Sequence, residues 1–339
     1  MSKIETRSQI KLGVVPTHVK FVGGVVPNPD GAMPRGDDGE MVLVSRMKSL
    51  LELSHCNLQA VQISLFPGTR ESDVDEMVKK LQELSLEVQF ILMVSDGDPM
   101  NPADEDTVVD LLVGGLEYAK KHGIEIVSST SIEQWMQPGA TRKDGAEFEA
   151  AIDQNVAVHK KAFERASLAD SCIKSWHIEF LRGVEFQTFT DLGRVWKFIE
   201  RANQSLGKPF FKTLVDAAHC GDSGLSLEEN IAWVKKIAAG DGLGIFHASA
   251  KTTRGCFSTD DGWIGAMLAA CIETGKLEYV FGEVFHHADD ALVPLREKVA
   301  GHGLDTTDGR SYDQMLAEGL DGLARRLNNH AARGCGKLA

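Results

Sequence analysis

The sequence has no run of basic residues, no apolar stretch approaching a membrane span, and no two cysteines spaced as CxxC. Each absence removes a class of function. Acidic residues outnumber basic ones by 49 to 36, a net charge of −13, and such a surface repels phosphate backbones and anionic lipid alike. Neither nucleic acid nor membrane is an expected partner, although a local basic pocket for a small anion is compatible with that charge. The opening residues MSKIETRSQIK lack the apolar core of a secretory leader. The six cysteines (Cys56, Cys172, Cys220, Cys256, Cys271 and Cys335) follow no regular spacing and read as reduced, mostly buried thiols. A cytoplasmic protein is the expectation. No internal repeat is visible, and no glycine-rich turn follows the first strand, which disfavours a doubly wound open sheet.

What is present is alternation. The 339 residues, 43% hydrophobic and 25% charged, are enough for a substantial core. Short apolar segments predict strands at 10–19, 57–64, 86–94, 124–129, 175–180, 210–217, 243–249 and 279–285. Between them lie predicted helices near 40–54, 71–84, 104–121, 145–168, 189–204, 226–238, 261–274 and 288–300. In LSLEENIAWVKKIAA, Leu227, Ile231, Val234 and Ile237 recur at helical spacing, and Ser226 before Glu229 makes a capping box. Eight strand–helix units without a long linker predict one (β/α)8 barrel domain, with the barrel at about 10–300 and a helical extension over 301–339. The extension carries a stripe of Leu316, Leu320, Leu323 and Leu327, which needs either the barrel wall or a second subunit, so a homo-oligomer is one expectation. Three insertions (22–40, 95–106 and 136–149) each follow a strand, on the face where barrel active sites lie, and should wall a pocket.

Strand five, SWHIEF, is informative. A strand buried on both faces should be apolar throughout, yet alternation sets Ser175, His177 and Glu179 on one face and Trp176, Ile178 and Phe180 on the other. The inner face of a barrel rising to a charged mouth accounts for that pattern. His177 is then either a core histidine bonded to a neighbouring strand or a partner and proton shuttle for Glu179.

The last four strands end on Glu179, Asp216, His247 and Glu283, at intervals of 37, 31 and 36 residues. Each interval is about one β/α unit of a barrel of ~250 residues, so four metal-binding side chains converge on one mouth. A satisfied polar group at a strand end would explain any one of them; four in register call for another explanation. Three carboxylates with one imidazole suit Mn²⁺ or Mg²⁺, and less well Co²⁺ or Zn²⁺. His219, Arg254 and Glu185 lie three, seven and six residues beyond Asp216, His247 and Glu179. Around a cation they suit a polyhydroxylated substrate with a carbonyl. His18, His286, His287, Lys251 and the aromatics Phe66, Trp176 and Trp135 are weaker candidates, for which solvation or packing is the plain alternative.

The series IEFLRGVE, VDAAH, IFHAS and GEVF resembles the second half of the xylose isomerase-like barrels, and within them is most similar to the ketose 3-epimerases of the tagatose and psicose type. The resemblance covers about residues 170–290 by motif. It implies a divalent cation, Mn²⁺ first, held by Glu179, Asp216, His247 and Glu283. Substrate oxygens would be held by His219 and Arg254, and a terminal hydroxyl by Glu185. Two departures touch the substrate pocket and leave the quartet alone. Arg182 comes one place early in the strand-five motif, and the 22–40 insertion is long.

The implied reaction is proton abstraction and return beside the carbonyl of a keto-sugar, with Glu179 and Glu283 as the two acid–base groups. Moving the carbonyl instead would make an aldose–ketose isomerase with the same residues. The alternatives are a lyase on 3-keto-glycosides, including C-glycoside cleavage, and a phosphodiesterase resembling endonuclease IV, which the negative charge disfavours. A non-catalytic sugar-binding barrel is the third, disfavoured because unneutralised converging carboxylates destabilise a fold.

Overall fold

Eight short runs rich in valine, isoleucine, leucine and phenylalanine form the strands of the computed structural model, which describes residues 3–19, 22–183, 185–250, 262–285, 293, 297 and 310–334. The strands are β1 (Lys11–Val15), β2 (Ala60–Leu65), β3 (Glu87–Leu92), β4 (Ile126–Ser129), β5 (Ser175–Glu179), β6 (Phe211–Asp216), β7 (Leu243–Ala248) and β8 (Tyr279–Glu283). All neighbours pair in parallel and β8 closes on β1, with Val15 opposite Glu283. The described helices are α1 (Val42–Leu53), α2 (Glu71–Glu83), α3 (Glu105–Lys121), α4 (Gly145–Arg165), α5 (Leu192–Leu206), α6 (Ala217–Asp222), α7 (Leu227–Ala239), α8 (Trp263–Glu273) and α9 (Tyr312–Ala332). The expected (β/α)8 barrel is therefore present. The predicted helix at 288–300 falls outside the described residues apart from positions 293 and 297.

Two apolar cores result from the two faces of each strand. Inside the barrel lie Val15, Ile91, Leu214, Ile245, Tyr279 and Phe281, and outside it the strands pack on the helices. Gly13 is required on β1 because a Cβ there would lie 2.5 Å from the Phe281 ring of the inner core. Trp176 belongs to the outer layer, its ring 5.2 Å from His159 on α4 and 5.5 Å from Phe211. It packs the wall and does not line the mouth.

Helix ends follow local chemistry. The Ser226–Glu229 capping box forms as expected, and Ser311 with Gln314 makes a second one at the start of α9. The first predicted strand was too long, because Pro16 has no N–H to continue the ladder and Thr17–Val19 turn into a 3-10 segment. Helix α6 is not predicted, since six residues carry no legible periodicity. The Leu316, Leu320, Leu323 and Leu327 stripe is fully buried within the chain's own core, and this stripe is not a subunit surface. Two aspartates fix α9 in place: Asp313 pairs with Arg46 at 2.6 Å, and Asp321 accepts from the Cys56 N–H at 2.7 Å.

The insertions take definite conformations. Residues 22–40 are fastened to α2, where Arg35 binds Asp73 and Glu76, and Arg70 binds Asp30. The 136–144 segment is held by Arg194 of α5, which bonds Asp144 at 2.8 Å and stacks 3.7 Å over the Phe148 ring.

Candidate metal centre

β5, β6, β7 and β8 are consecutive around the barrel, so residues at their C-terminal ends share one side of the mouth. Asp216 pairs across the sheet with His247, and His247 in turn with Phe281. One potential ligand atom from each of Glu179, Asp216, His247 and Glu283 lies within 4.8 Å of the others. All four side chains are buried, at 6, 0, 0 and 6% exposure. His247 Nδ1 stands 3.4 Å from Glu283 Oε2 and 3.8 Å from Glu179 Oε1.

Electrostatics follow from that crowding. Burial alone would lower the His247 pKa, but Glu283, Glu179 and Asp216 outweigh it and push the imidazole up to about 9. Three carboxylates this close repel one another in a medium that screens weakly. A divalent cation would offset two of the charges, and an oxygen-rich set with one nitrogen is a donor set for a hard or borderline ion. The residues fit the ion that the sequence implies.

His219 joins the quartet directly. Its backbone N–H donates to Asp216 Oδ1 at 2.8 Å, so the aspartate caps α6 while its carboxylate faces the mouth. His219 Nδ1 lies 3.2 Å from Glu179 Oε1, and its ring packs edge-on against Phe180. Glu185 is buried in the loop after β5. Its Oε1 accepts from the Trp135 indole N–H at 3.1 Å, and its carbonyl accepts from the Met136 N–H. Trp135 keeps 46% of its surface exposed, a position compatible with the aromatic cover expected of it.

His177 lies one inward position below Glu179 on β5. Its Nε2 is 3.1 Å from Ser175 Oγ, and its ring rests on Gly244 of β7, where a Cβ would approach to 2.5 Å. Burial, and then the charges of Lys212 and His247, hold its pKa well below the ordinary histidine value. The contacts are those of a neutral core histidine bonded within its own strand. Phe66 is partly buried and lines a 170 Å³ groove with Leu92, Met93 and Gly115, away from the quartet's residues. Arg254, Lys251, His286 and His287 lie outside the described residues, as does the side chain of His18.

Several residues escaped the sequence reading. Gln62 on β2 faces His247 Nε2 at 2.7 Å and bonds Ser128 of β4. Glu133 accepts from the backbone N–H groups of Gln187, Thr188 and Phe189, bracing the loop after β5. The signal for Gln62 is the alternation that marks His177: Gln62 and Ser64 are polar residues two apart on one face of β2, as Ser175, His177 and Glu179 are on β5.

No known family profile matches the chain, and no curated protein matches it in sequence. Solved structures do match. It is similar to a D-allulose 3-epimerase from Methylomonas sp. at 15% identity, covering 96% of this chain and 100% of that one, TM-score 0.70. An L-ribulose 3-epimerase matches at 14% identity over 96% of each chain, TM-score 0.69. An AP endonuclease, family 2, from Brucella melitensis matches less completely, at 13% identity over 73% of this chain and 88% of that one, TM-score 0.56. The fold this chain shares with them is the closed eight-stranded parallel barrel with helices between the strands.

Proposed function

We propose that this protein is a divalent-metal-dependent sugar epimerase or isomerase, a single barrel domain acting on a keto-sugar in the cytoplasm. The observation that carries the reading is the buried quartet of Glu179, Asp216, His247 and Glu283 at the mouth of the barrel. Likeness of fold to ketose 3-epimerases supports it. In this reading the four residues hold one cation, Mn²⁺ by preference given three oxygen donors. When bound, the cation polarises the substrate carbonyl and lowers the cost of removing the neighbouring proton.

The protein's own groups do the rest. β5 and β8 are three places apart around the barrel, so Glu179 and Glu283 enter the mouth from separate directions. One glutamate takes the proton from the carbon beside the carbonyl, and the other returns a proton to the opposite face, inverting that carbon. His219, Glu185 and Arg254 hold substrate oxygens. His177 serves as a neutral support beneath Glu179.

The test is isotope incorporation in deuterated water with a ketose panel that includes a 3-keto-glycoside, after metal analysis of the purified protein. Deuterium on the carbon beside the carbonyl is expected, whereas release of an aglycone would make the enzyme a lyase. A full metal site with neither product would sink the proton-transfer reading. Glu179→Gln and Glu283→Gln should each lower kcat by about 100-fold or more, the scale of a lost general acid–base group, with much smaller changes in KM.

A further inference from the structure

Gln62, Ser128 and His247 belong to β2, β4 and β7, strands that are not neighbours, and their side chains meet inside the barrel. All three are buried to within 1%. The Gln62 amide N–H donates to Ser128 Oγ at 2.5 Å, which leaves the amide oxygen facing His247 Nε2 at 2.7 Å. A carbonyl oxygen only accepts. The nitrogen opposite it must therefore be the one that carries hydrogen.

We propose that Gln62, its amide N–H paired with Ser128, is a positioning residue that fixes the tautomer His247 adopts when it gives up a proton to bind a cation, keeping hydrogen on Nε2 and freeing the lone pair of Nδ1 toward the quartet. The inference rests on the metal reading of the quartet. Nδ1 is the nitrogen beside Glu283 and Glu179, and only a deprotonated Nδ1 can bind a cation. With its amide reversed, Gln62 would present N–H donors to Nε2 and drive the proton onto Nδ1, into the space the cation needs. Which ring nitrogen is metallated is set by the bond the other one makes.

The choice of glutamine also matters. Carboxylates commonly back metal-binding histidines, but this site already gathers three. A neutral acceptor orients the ring without adding a fourth buried negative charge. Ser128 Oγ accepts from the other end of the amide, so the buried N–H is paired while the oxygen faces the imidazole.

The experiment measures Mn²⁺ binding by calorimetry for the wild type, Gln62→Leu, Gln62→Glu and Ser128→Ala. It also records nitrogen NMR of His247 in the Zn²⁺-loaded wild type. Gln62→Leu should weaken binding by about 10- to 100-fold, the usual effect of losing a histidine's outer partner. Ser128→Ala should weaken it by less. Gln62→Glu should bind within a few-fold of the wild type, because its carboxylate still accepts from Nε2; a role in packing alone would not separate it from Gln62→Leu. The NMR should place the His247 proton on Nε2.

A proton on Nδ1, or Mn²⁺ affinity unchanged in both Gln62→Leu and Ser128→Ala, overturns the inference and leaves the metal reading standing. A wild type that takes up no Mn²⁺ overturns both. If Gln62→Leu does not fold, Ser128→Ala and the wild-type spectrum decide.

Discussion

Arg182, in the loop after β5, and Asp222, the last residue of α6, meet at 3.1 Å with the guanidinium buried. The pair joins the segment that carries Glu185 to the helix that carries His219. It also gives structural meaning to the departure noted in the sequence, an arginine one place early in the strand-five motif. The shifted arginine ties together two walls of the mouth.

Replacing Arg182 by Met should therefore remove this bridge and cost about 3 kcal/mol. That is the lower end for breaking a buried ion pair, chosen because Asp222 keeps 21% of its side chain in water. Urea unfolding measures it. The double variant Arg182→Met with Asp222→Leu should recover much of the loss, since removing both charges removes the desolvation penalty as well.

In the proposed metal site Asp216 has two duties that a substitution can separate. Its Oδ1 caps α6 through the His219 N–H, and asparagine is as good a cap as aspartate. Asp216→Asn should therefore keep its circular dichroism and thermal midpoint in the metal-free state while losing the bound cation. Asp216→Ala should lose the cation and also about 1 kcal/mol of stability with the cap. Metal analysis beside thermal melts distinguishes the two.

Cation uptake should compete with protons. In the metal-free protein the carboxylates hold His247 protonated up to about pH 9, and a ligating imidazole must give up the Nδ1 proton. Affinity should rise with pH from 6 to about 9 and then level off. At pH 7 each cation bound should displace about one proton, readable by calorimetry in buffers of different ionisation heat.

His159 predicts an acid-sensitive fold. It is wholly buried on α4, between Ser131 Oγ and the Asn155 carbonyl, and burial pushes its pKa from 6.5 down to about 4. Between those values the unfolded chain binds the extra proton, so stability is complete above about pH 6.5 and falls as the pH drops toward 4. The loss is about 3 kcal/mol by linkage. His159→Gln should flatten the fall in urea midpoint across that window by one proton's worth. His177, depressed in the same direction, leaves a residual slope.

How much of this could be read in one dimension differs from residue to residue. Glu179, Asp216, His247 and Glu283 were legible because each β/α unit returns the chain to the next strand end, so a regular sequence interval becomes a spatial cluster. His177 was legible as an inward position because strand side chains alternate with a fixed period. The stripe on α9 was legible as a buried face, but its partner was not, since periodicity says that a surface is covered and not by what.

The sequence by itself determined the alternation of strands and helices, the inward face of each strand and the set of side chains at the mouth, all consequences of local geometry repeated along the chain. Only the tertiary structure decided that Gln62 reaches His247 from β2, that Arg182 meets Asp222, and that α9 closes on its own barrel. Those contacts join residues 185, 40 and more than 260 positions apart. They depend on closure of the barrel and on the register between strands, which no short-range pattern specifies.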